Sequence, residues 1–119
     1  MALEFAPSAG AAYIEGRFAD IGAVSTLRLA SPVSGHISAI YVVREGTPGL
    51  SVLTITTSAG AMTRTLTMGA NGAIGDVDSQ EFSPEDVNNR VEAGSLISIA
   101  SGGEGGAGGA HVLVVVEAS

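Results

Sequence analysis

What most constrains this chain is a rhythm. Short runs of β-branched and apolar residues recur between Gly, Ser, Pro and Asn, and helical periodicity is nearly absent. Such runs bury side chains at period two, so they have to pair into sheets. The pattern predicts eight strands, over 12–18, 24–29, 35–44, 51–57, 62–68, 75–79, 96–100 and 111–117. The fold class expected is therefore all-β.

Within several runs the alternation assigns faces. Ile37, Ala39, Tyr41 and Val43 fall on one side of their run. Leu53 and Ile55 alternate with threonines, and Arg64, Leu66 and Met68 alternate with Thr63, Thr65 and Thr67. Threonine on the second face suits a pleated, solvated surface. Between the runs, residues 58–61 (SAGA) read as a hairpin loop, and Asn71-Gly72 as a turn tolerating positive φ. Ser31-Pro32 and Thr47-Pro48-Gly49 mark bends. One short helical turn is expected from Ser83-Pro84-Glu85-Asp86 to about Asn89. There a hydroxyl cap precedes a proline at the first helical position.

The glycine-rich stretch 101–110 contains a G-x-G-x-x-G match at Gly103, Gly105 and Gly108. A dinucleotide cradle needs a helix next, whose N-terminus holds the pyrophosphate. Here a strand-like run follows instead. The expected element is a long loop with an exposed tip joining the last two strands. The last of these is unusual, because Val112 through Val116 is apolar at every position. A run apolar on both sides is covered on both sides. The cover could be another subunit, residues 1–11, or a loop of the same chain.

Residues 1–11 mix Leu3 and Phe5 with small residues and Pro7. They are expected to be an N-terminal arm, or an extended segment ordering against a partner, beside a β-sandwich domain over 12–119. At 119 residues one domain is expected. There is no cysteine, hence no disulfide, thiolate site or cysteine nucleophile. Net charge is −7, lysine is absent, and the five arginines are scattered singly. Phosphate binding relies on clustered cations, so no nucleic-acid partner is expected. No apolar run approaches the ~20 residues of a membrane span, and the start lacks a signal-peptide pattern. The expectation is a chain with no membrane partner that is not exported by the usual route.

No coherent catalytic set emerges. His36 and His111 each open a predicted strand, and no serine lies in a G-x-S-x-G elbow. Asp76, Asp78 and Glu81 offer oxygen ligands, but without the spacing of a calcium loop, and read as a solvated acidic edge. Glu15 and Arg17 are placed to pair across to neighbouring strands. The aromatics are Tyr13, Tyr41, Phe5, Phe18 and Phe82, a thin supply for stacking sugars. The chain is not expected to be an enzyme, and no catalytic, cofactor-binding or metal residue is assigned.

Four stretches carry a resemblance: Leu29 to Ile37 followed by Tyr41-Val42-Val43; the threonine-rich hairpin from Leu53 to Met68; Gly75-Asp76-Val77-Asp78-Ser79; and Val91 to Ile99. In this order they resemble small capsid decoration (cement) proteins of tailed bacteriophages, over roughly residues 26–116. The resemblance implies an antiparallel, jelly-roll-like β-sandwich, often a homotrimer. It implies a structural virion protein made in the host cytoplasm and placed on the outer capsid surface. There it would bind the major capsid protein, bridge coat subunits and resist internal DNA pressure. The glycine-rich loop before the final strand departs from that pattern. Interface candidates are Leu3, Phe5, Val112, Val114 and Val116. The alternative is a receptor- or glycan-binding module of a phage fibre or spike.

Overall fold

The computed structural model describes residues 10–21, 24–48, 51–69, 72–102 and 106–118. Among them are twelve strands: β1 (Ala11–Phe18), β2 (Ser25–Ala30), β3 (Gly35–Arg44), β4 (Thr47–Pro48), β5 (Ser51–Thr57), β6 (Gly60–Ala61), β7 (Leu66–Met68), β8 (Val77–Glu81), β9 (Arg90–Val91), β10 (Leu96–Ser101), β11 (Gly106–Ala107) and β12 (Ala110–Ala118). They form two antiparallel sheets packed as a β-sandwich. One has the order β1-β12-β3-β8, with β9 also on β3. The other has the order β2-β10-β5-β6, with β7 also on β5. A two-stranded patch joins β11 to β4.

β3 and β5 span the predicted residues 35–44 and 51–57. The run predicted over 62–68 keeps only β7. Met62 closes the hairpin instead, its N–H donating to the Ile55 carbonyl at 2.8 Å and its side chain buried. The run predicted over 75–79 moves to 77–81. Gly75 takes φ 92° and the Asp76 N–H donates to the Ala73 carbonyl, so this part is a turn.

The expected helical turn over 83–89 is corrected to a pair of turns, since no helix occurs among the described residues. The capping chemistry still forms. Ser83 Oγ accepts the Glu85 N–H at 3.2 Å, and the Asp86 carboxylate accepts the Ser83 N–H at 2.8 Å. Asn88 then takes φ 65°, which directs the chain out of a right-handed helix. The buried Asn89 amide donates to the Ser83 carbonyl at 2.9 Å, tying the turns down.

The core lies between the sheets. Ile40, Val42, Val112, Val114 and Val116 come from one; Leu53, Ile55, Met68, Ile97 and Ile99 come from the other. A β-bulge interrupts β3, where Val115 opposes Ala39 but Val116 opposes Ile37, leaving Ser38 extra. The bulge divides the set expected on one face. Ile37 points to the core, whereas Ala39, Tyr41 and Val43 point away from it.

The glycine-rich segment is less free than expected. Its return limb pairs with β4, Gly109 accepts the Glu45 N–H at 2.9 Å, and Gly108 accepts the Ile21 N–H at 3.0 Å. At Gly108, φ is 123°, and a Cβ there would lie 2.4 Å from Gly46 Cα, so glycine is required. Gly103 and Gly105 lie outside the described residues. So do residues 1–9 of the expected arm; Ala11 already belongs to β1, paired with Glu117.

Candidate docking face

Register builds this face. β12 runs between β1 and β3, so its inward residues Ala110, Val112, Val114 and Val116 enter the core with no exposure. The interface role expected of Val112, Val114 and Val116 is thereby corrected to a core role. What β12 turns outward is the other parity: His111, Leu113, Val115 and Glu117. Leu3 and Phe5, the other interface candidates, lie outside the described residues.

Cross-strand pairing continues this parity into rows. Arg17, His111, Val43 and Val77 form one row from β1 to β8. Glu15, Leu113, Tyr41 and Ser79 form the next, and Tyr13, Val115, Ala39 and Glu81 the third. Apolar side chains therefore occupy the middle strands, while charges sit mainly on the flanks and at the end with Glu117. A groove of about 420 Å³ opens here, its apolar lining supplied by Tyr13, Ala39, Tyr41, Phe82, Leu113 and Val115. Tyr13 is 61% exposed and Val77 59%.

Basic side chains of this face have partners, Arg90 in the row of Glu117 and His36 among them. Arg17 Nε lies 2.5 Å from Glu45 Oε1, and His111 Nε2 lies 3.0 Å from Glu15 Oε1. Glu15 and Arg17 thus do reach neighbouring elements. Glu81 and Glu117 are exposed and form no ion pair among the described residues.

The acidic stretch divides among three places. Asp76 accepts the Ala73 N–H at 2.8 Å, Asp78 accepts from Arg44 Nε at 3.0 Å, and Glu81 joins the outer face. Among the described residues no group of three His, Cys, Asp or Glu could hold a metal ion. The Arg44 side chain is only 2% exposed. Its Nη2 donates to the Gly69 carbonyl at 2.8 Å, and its Nη1 has no partner among the described residues. Gly72 packs on the guanidinium so closely that a Cβ there would lie 2.1 Å from Cζ. This buried cation had no signal in the sequence beyond its neighbouring acids.

Of the four stretches that carried the resemblance, two are zipped together. Ser31 N–H donates to Ser95 O at 3.0 Å, Gly94 N–H to Ser31 O at 2.7 Å, and Ala93 N–H to Ser34 Oγ at 2.9 Å. Tyr41, Leu113 and Val115 were not singled out as surface residues. The period-two pattern held that signal, but choosing between the parities of Val112–Val116 needed the register. No family model, curated protein or solved structure matches the chain.

Proposed function

We propose that the chain is a structural virion protein that binds the outside of a phage head and bridges coat subunits to stabilise it. The observation that carries this reading is the face of the β1-β12-β3-β8 sheet, with its apolar centre and charged margin. That is the anatomy of a protein-binding patch, a dry middle ringed by polar groups. The four resembling stretches supply the phage context.

The strand order supports the jelly-roll reading. Eight strands have three or more residues, namely β1, β2, β3, β5, β7, β8, β10 and β12. Ranked one to eight, they lie 1-8-3-6 in one sheet, while 2, 7, 4 and 5 are successive neighbours in the other. This is the interleaving of a long antiparallel hairpin wrapped on itself.

Size argues for several copies acting together. Four strands spaced ~4.8 Å apart, over about seven residues of ~3.4 Å each, span roughly 450 Å². A standard interface covers about 800 Å² per partner. One face therefore binds weakly, and a trimer engaging several coat subunits converts weak contacts into firm occupancy through effective concentration.

Light scattering tests the assembly, with a mass three times the 11.8 kDa chain expected. Electron microscopy of the virion tests the role. Density for the sandwich outside the head, with the β1-β12-β3-β8 face toward the coat, is the expected result. Absence from the particle, or that face turned to solvent, rejects the reading. One observation favours a glycan-binding module instead: the exposed Tyr13 ring stands in a groove that also holds Glu81 and Glu117. A glycan array separates the two, since a cement protein shows no saccharide preference.

A further inference from the structure

Resting on the reading of this face as a protein-docking surface, we propose what docks there: an extended segment of a different protein, carrying an apolar pair of side chains flanked by lysine or arginine. The apolar part follows from Tyr41, Leu113 and Val115 in the groove lining. The charge follows from the ionic groups that line the groove, which are Glu81 and Glu117. Arg17 is held by Glu45, and His111 by Glu15. Glu81 on β8 and Glu117 on β12 stand on either side of β3 at one end of the groove, exposed and outside any ion pair among the described residues. The unsatisfied charge at the groove is thus negative, and an occupant has to supply cations to complement it.

A second copy of this chain does not fit that description. It has no lysine and carries a net charge of −7. Arg17, Arg44 and Arg64 are in ion pairs, and Arg90 also has a partner. Arg28 lies on β2, in the opposite sheet. Arg90 shares the row of Glu117 and His36 but already has a partner, so two such grooves brought together would oppose Glu81 and Glu117 to their own copies, which selects against self-docking here. Subunits of a trimer would then meet elsewhere, leaving this face for the foreign segment.

The test is an amide NMR titration of the isotope-labelled whole chain with two blocked hexapeptides. Both carry a central leucine–phenylalanine pair, flanked in one by arginines and in the other by glutamates. The expected result is shift changes centred on Tyr41, Leu113 and Val115. The arginine peptide binds about tenfold more tightly at low salt, as two exposed ion pairs allow. The preference fades toward about 0.5 M salt as screening shortens. The double variant E81Q/E117Q, altered only at exposed positions, keeps a native spectrum and loses the preference. Equal affinity for the two peptides overturns the proposal, as do shifts confined to the β2-β10-β5 face. Concentration-dependent shifts of the same amides without peptide also overturn it, in favour of a second copy. A virion that lacks the protein while the peptide preference persists rejects the capsid reading alone. Peptide indifference in a protein that decorates heads rejects this proposal alone.

Discussion

The two outer faces of the sandwich are built by the same alternation and yet differ in kind. On the β2-β10-β5 side the outward rows are Thr26, Ala100 and Thr54, then Arg28, Ser98 and Thr56, with Ala30 and an exposed Leu96 at the end. Hydroxyls and small side chains dominate there, as they do on a sheet facing water. On the β1-β12-β3-β8 side, the outward residues of the two middle strands include Leu113, Val115, Tyr41 and Val43. Both sheets are antiparallel ladders, so the difference lies in the side chains. That difference is what the proposed docking role of the second face rests on.

The largest effect expected concerns what both faces share. Ile55→Ala, in the core between the sheets, should cost about 2–5 kcal/mol through lost burial and a residual cavity. Urea unfolding measures it, and a loss within about 0.5 kcal/mol would mean that the sheets are not packed as described. Next comes Asp78→Ala, which strands the buried Arg44 guanidinium. Removing one partner of a buried pair costs about 3 kcal/mol. The loss should be nearly independent of salt, because the cation is shielded from solvent.

The third test divides the faces. Leu113→Ser should change stability by about 1 kcal/mol while lowering head occupancy about tenfold, as loss of a central apolar anchor does. Undiminished occupancy would remove the β1-β12-β3-β8 face from the account. Smallest is Thr54→Ala on the opposite face, expected to alter both stability and occupancy within about 0.5 kcal/mol. A large loss of occupancy there would reverse the assignment of the two faces.

Much of the fold was legible because alternation is a local signal. The spans of β3 and β5 and the hairpin turn at Ser58-Ala59 follow from side-chain parity and turn residues alone. The docking face was only half legible. Val112–Val116 announced cover on both sides, but which parity entered the core depended on the partners β1 and β3. A sequence does not state its register. The Ser38 bulge is a second such case: it separates Ile37 from Ala39, Tyr41 and Val43, and no residue type there signals it. At 83–89 the caps were readable, but the left-handed Asn88 and the tertiary bonds of Asn89 decided for turns. Arg44 was invisible for a similar reason, since its burial comes from residues 25 to 34 positions away.

The contact between Gly72 and Arg44 has a consequence for how tolerance to change is distributed. Gly72 lies in a connection between strands, where substitution is ordinarily cheap. Here the flat side of a fixed guanidinium occupies the space any side chain would need. Saturation mutagenesis should therefore find this connection as intolerant at position 72 as the hydrophobic interior, and a variant there should become acceptable only when position 44 is shortened with it.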